Sequence, residues 1–169
     1  MFYKLVAIKN FFRYDIPHGI RNLIEWFPIV WKDRNWDYSF IYLMLRHKLH
    51  LTEQLIRNHG IHIHHIKDAD SIRKCVLLLD RLIADEYFEN VMKPHDKKWG
   101  ESKLTWHSLE DGSEMSELTL EYPNVKTLKD KKQQRKDFNH LLKIEQNTKQ
   151  QDIDMVFNIM KKKIQSWWD

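Results

Sequence analysis

The sequence predicts a mainly α protein, a helical bundle of about five helices with one small β-hairpin at about residues 103–122. Three observations point there. Apolar residues recur at three- and four-residue spacing along most of the chain, the mark of helices with one buried face. Only four glycines and four prolines interrupt 169 residues. The clearest period-two alternation flanks a single Asp111-Gly112 turn signal.

Taken in order, Phe2 to Tyr14 alternates weakly and is assigned to a helix. Pro17 suits a first helical turn, and Ile20, Leu23, Ile24 and Phe27 follow at helical spacing. Pro28 removes a backbone donor and crowds the preceding turn, so this helix is expected to end or kink near Trp26. From Trp36 to about Asn58 the residues Phe40, Leu43, Met44, His47, Leu51 and Leu55 trace one face, with Asn58 and Gly60 as the stop. A second long helix is expected from Asp70 or Ser71 to Asn90, with Ile72, Cys75, Val76, Leu79, Leu82, Ile83 and Phe88 in register. Those two helices should pack antiparallel and form the principal core.

Pro94 and Gly100 bracket an expected loop. The hairpin follows, and because an isolated hairpin is marginal in water it should lie against the helices. Thr127 and Asp130 form a capping box for a basic helix to about Asn147. A last helix from Asp152 then carries Ile153, Val156, Phe157, Met160, Ile164 and Trp167 on one stripe.

A chain of this length fits one domain, residues 1–169, and buries about two thirds of its unfolded surface without a metal or disulfide staple. The single cysteine, Cys75, permits no intrachain disulfide and suits a reducing compartment. No apolar run approaches the roughly 18 residues that a membrane span needs, and the first residues lack a cleavage site of the signal-peptide kind. The net charge of +4 conceals an asymmetry. Between Lys126 and Lys149 eight Lys or Arg face three acids, whereas Glu101 to Glu121 holds six acids and one Lys. This is either an anion-binding face beside an acidic one or, more simply, solvated helix surface.

The histidines around one turn (His47, His50, His59, His62, His64, His65) lack a ligand framework such as HExxH and read as a solvated loop. Asp80, Asp85, Glu86 and Glu89 resemble the acidic helices of Mg²⁺-dependent all-α nucleotide pyrophosphohydrolases, without their paired ExxE and ExxD elements. There is no GxSxG, Walker loop or GxGxxG, and Cys75 falls on an apolar helix face. No catalytic residue, cofactor or metal is assigned, and the chain is not expected to be an enzyme.

The stretch Arg21 to Tyr38, RNLIEWFPIVWKDRNWDY, is the densest in rings and charges. On one reading Trp26, Trp31 and Trp36 are core anchors. On the other they stack a flat ligand while Arg21, Lys32, Arg34, Arg46 and Lys48 neutralise its phosphates. The strings RNLIEWFPIVWKDRNWDYSFIYLMLRHKL, LLLDRLIADEY and the terminal SWWD together resemble a family of small uncharacterised proteins of tailed bacteriophages. That resemblance implies a phage protein acting in the host bacterial cytoplasm and supplies no catalytic residues. It leads to the expectation of an anti-defence protein, a homo-oligomer, that sequesters a small nucleotide signal (a cyclic oligonucleotide or ADP-ribose derivative) without cleaving it. Neither a membrane nor bulk nucleic acid is an expected partner. The alternative is an interaction protein that docks on a host or phage protein through its Trp-rich surface; a Mg²⁺-dependent nucleotide hydrolase comes third.

Overall fold

The computed structural model describes residues 6, 8–34, 36–60, 63–108 and 116–167, without the side chains of 107, 108, 116 and 117. The expected turn at Asp111-Gly112, His62 and the terminal Trp168-Asp169 lie outside these residues. Five α-helices and one two-stranded antiparallel sheet are present among them.

The N-terminal helix is longer than expected. Helical backbone from residue 8 passes through a π-helical segment, Phe11–Asp15, into α1, Ile16–Val30. The wide π turn precedes Pro17, which cannot donate and whose ring crowds the carbonyl four residues back. Pro28 does not end the helix at Trp26. It sits in the last turn, so only one intrahelical bond is lost, and the Trp31 amide still reaches the Phe27 carbonyl at 2.9 Å. The chain then tightens through i→i−3 bonds from Lys32 to Ile29 and Asp33 to Val30. Asp37 accepts a 2.9 Å bond from the Ser39 amide and opens α2, Ser39–His59. Gly60 closes α2 in the left-handed region (φ 56°), as the sequence predicts.

α3 spans His65–Ala84 and begins earlier than expected, because Ala69 is fully buried while its charged neighbours mask the apolar pattern. It also ends earlier. Asp85 turns left-handed (φ 50°), a conformation Asp tolerates better than most residues, and a separate helix α4, Tyr87–Trp99, follows. The expected loop at Pro94 is therefore helix, held by the burial of Met92, His95 and Trp99 on one face.

β1, Lys103–Ser108, pairs with β2, Ser116–Glu121, placing Leu104 opposite Leu120 and Trp106 opposite Leu118. The expectation that this hairpin lies against the helices fails for its apolar face, where all four of those side chains are exposed. Its base is what is tied down. The Asn124 amide bonds the Trp99 carbonyl, and a Cβ at Gly100 (φ 84°) would meet the Pro123 ring at 2.9 Å.

The Thr127 and Asp130 capping box is present, each side chain bonding the other's backbone amide. The helix it opens, α5, runs unbroken over Leu128–Lys163, where two helices were expected. The second of these was expected to start at Asp152. Its carboxylate is instead spent across the bundle on Arg81 and Tyr87, so nothing breaks the backbone between Asn147 and Asp152.

Ion pairs give the directions. Arg46 with Asp80 and Arg57 with Asp70 make α2 and α3 antiparallel, as predicted. Lys149 with Asp85 and Arg81 with Asp152 make α3 antiparallel to α5. The core lies between these helices: Leu49 and Ile56 of α2, Ile72, Cys75, Leu79 and Leu82 of α3, Tyr87 of α4, Val156 of α5, and Trp167 beyond it. On α2 the buried face is Phe40, Leu49, Thr52, Glu53 and Ile56 rather than the predicted Leu43, Met44, His47, Leu51 and Leu55, which lie a quarter-turn or so away and are only partly covered or exposed. Polar Thr52 and Glu53 hide this face from a hydropathy reading; their partners are the Lys48 carbonyl and Arg57. The Cys75 thiol is buried and its pKa is pushed up to about 11, so it is packing rather than a nucleophile.

Candidate functional site

The corner between α1 and α2 carries most of the residues singled out from the sequence. Trp31 and Trp36 are 72% and 83% exposed and Lys32 and Arg34 are exposed beside them. Trp31 leans on Phe27 at 5.1 Å, and the Arg34 guanidinium donates to the Asp33 carbonyl at 2.9 Å. Trp26 is half-buried and meets the His47 ring of α2 nearly perpendicularly at 4.9 Å. The His47 Nε2 is buried without a hydrogen-bond partner among the described residues. These five residues therefore fall at one corner, where Trp31 and Trp36 are open rather than walled and Trp26 is partly covered by α2.

The other three lie apart. Arg21 lines a shallow depression on the N-terminal helix with Arg13, Tyr14, Pro17 and His18. Arg46 is committed to Asp80 at 2.8 Å and links α2 to α3. Lys48 is exposed on α2. The acidic set is dispersed as well, since Asp80 pairs with Arg46 and Asp85 with Lys149, and the break at Asp85 removes the single-helix spacing that suggested a Mg²⁺ site. No group of three His, Cys, Asp or Glu side chains with metal-holding geometry occurs among the described residues.

The best-formed polar centre was missed in the sequence. Asp152 is 4% exposed, and its Oδ2 accepts from Arg81 Nε at 2.9 Å, from Arg81 Nη2, and from the Tyr87 hydroxyl at 2.6 Å. Burial first, and then the bond to Asp152, push the Tyr87 hydroxyl up to about 12; the carboxylate likewise raises the Arg81 pKa. A cavity of about 290 Å³ opens beside it, lined by Arg81, Tyr87, Glu86, Asn90, Glu145 and Thr148. The available signal was the spacing of Glu145, Thr148 and Asp152 on one face of α5. The centre joins three helices, and its half-exposed Arg81 has its Nε edge taken by Asp152, so its evident work is to lock the bundle.

A second lock ties the far ends of α4 and α5. Asp137 accepts from Lys98 Nζ at 2.6 Å, Gln133 Nε2 at 2.7 Å and Trp99 Nε1 at 3.1 Å. The Lys98 bond is the main reason its carboxyl is held down to about 2, against 3.8 ordinarily. A depressed carboxylate contributes stability above its unfolded pKa and loses it as pH falls through the folded value. Asp137→Asn should therefore lower stability at pH 7 by about 1 kcal/mol, and its gap from the wild type should close between pH 4 and 2. Thermal melts across that range check this; a gap unchanged by pH would contradict the pairing.

No protein-family model, curated protein or solved structure matches the chain. No helix among the described residues is long and apolar enough to cross a membrane.

Proposed function

We propose that this chain is a protein-interaction module that docks through the apolar stripe of its N-terminal helix and the tryptophan corner that follows. The observation that carries the reading is the helix itself. Ile20, Leu23, Ile24, Phe27, Val30 and Trp31 share one side at helical spacing, yet α1 has no buried residue. A strongly amphipathic helix whose apolar stripe lies mostly in water is a partner's seat, because contiguous exposed apolar surface is otherwise avoided. Large rings at its end, Trp31 and Trp36, are the residue type that anchors such contacts. Photo-crosslinking in cells tests the reading. A crosslinker at position 27, on the stripe, should give discrete protein adducts, whereas one at Glu25 on the polar side should give none. Equal adducts from both, or none from either, would overturn it.

The grouping of Trp31, Lys32, Arg34 and Trp36 at one exposed corner favours a second reading, the sequestration of a nucleotide-derived signal by ring stacking and charge neutralisation. Incubation with cyclic oligonucleotides and ADP-ribose derivatives, followed by heating and identification of what is released, decides it. Unaltered ligand supports sequestration, altered ligand an enzyme, and no retention across the panel removes both.

A further inference from the structure

We infer that the partner seated on the N-terminal stripe is a second copy of this chain, so that the protein is an isologous dimer with paired N-terminal helices. The inference rests on the docking reading above and names its partner. Surface area is the first argument. A compact protein of 20.8 kDa exposes about 9,000 Å², whereas this chain exposes 13754 Å². The excess of about 4,800 Å² is several times the roughly 800 Å² that each partner buries in a stable complex of standard size. The open face of the hairpin accounts for part of it, and the N-terminal helix for another part.

The shape of the stripe is the second argument. Helical backbone from residue 8 to residue 30 makes a rod about 35 Å long, at 1.5 Å per residue. Ile20, Leu23, Phe27 and Val30 alternate steps of three and four, the spacing that meshes with an identical ridge on a facing helix. Such a surface is complementary to itself, as an isologous contact requires. Charge is the third. The charged residues of this helix are Lys9, Arg13 and Arg21 with Asp15 and Glu25. Interfacial membrane helices carry a predominantly Lys and Arg polar face. The mixed signs here suit a surface turned to water beside a protein seam.

Sedimentation velocity on the full chain, with the double variant Leu23→Glu and Phe27→Glu, tests the inference. Both side chains are exposed in the single chain, so the variant should keep its helical circular dichroism, and its melting temperature should match that of wild type diluted to the monomer. The wild type should sediment as a dimer at micromolar concentration, and the two buried charges should weaken its self-association at least about 100-fold. A crosslinker at position 27 should join two copies of this chain. A monomeric wild type, or a variant that dimerises equally well, overturns the inference. A monomer whose position 27 crosslinks to a different protein overturns it while the docking reading stands; a monomer that crosslinks to nothing overturns both. Protection of the stripe by phosphatidylglycerol vesicles, with the chain still monomeric, overturns it in favour of a lipid surface.

Discussion

Trp167→Ala should be the most damaging single substitution outside the backbone breaks, shifting the urea midpoint by the equivalent of about 3–5 kcal/mol. Trp167 is 2% exposed. Its ring belongs to the same cluster as Ile56, Ile72, Leu79 and Val156, and its Nε1 donates to the Ser71 hydroxyl of α3 at 3.3 Å. Removing it opens a cavity at the place where the segment after α5 closes over α3, and that site has little means to collapse because its neighbours sit on separate helices. Trp36→Ala is the control. With its ring almost wholly in water, the same truncation should change stability by no more than about 0.5 kcal/mol. Similar losses in the two variants would mean that the C-terminal tryptophan is not core.

Asp152→Ala should cost about 2–3 kcal/mol, mainly because the buried Tyr87 hydroxyl loses its acceptor. Arg81 moderates the loss, since its half-exposed guanidinium can turn to water once freed. The same centre makes a prediction in alkali. Tyr87 keeps its proton to about pH 12 in the folded chain, while an unfolded tyrosine loses it near 10. Between those values the folded state binds the extra proton, so stability should fall as pH rises. Tyr87→Phe should flatten that alkaline slope, measured as midpoint against pH from 9 to 11. An unchanged slope would assign the effect to another group.

Where the sequence was readable, a local rule was enough. The capping box at Thr127, the left-handed Gly60 and the alternation of the hairpin strands each depend on residues a few positions apart, and each is found in place. The errors came where a distant partner decides the matter. Asp152 has the side chain of a helix cap and is instead the acceptor for α3 and α4. Asp85 breaks a continuous apolar pattern by turning left-handed, with its carboxylate bonded to Lys149, and Pro94 is carried through a helix whose other face is buried. On α2, buried Thr52 and Glu53 rotated the true core face away from the most hydrophobic one.

The candidate site follows the same division. The string from Trp26 to Trp36 announced that the corner would matter, and Trp31, Lys32, Arg34 and Trp36 do lie together at it. Composition could not say whether those rings would be packed or open. That depends on whether another element comes to cover the stripe, and in the single chain none of the body helices does. Arg46 and Lys48 followed from their nearness in sequence, yet Arg46 is held on α3 by Asp80.

The undivided length of α5 has a kinetic consequence. α2 and α3 are joined by a connection of a few residues, so their pairing closes a small loop at little entropic cost and can form early. The contacts that bring α5 onto α3 span far more chain, with Arg81 and Asp152 separated by 71 residues and Ser71 and Trp167 by 96. Folding should therefore proceed in two unequal stages, a quick helical hairpin and then a slower docking of the strut that completes the core. During synthesis the early hairpin stays incompletely covered until α5 has been made and docked on α3.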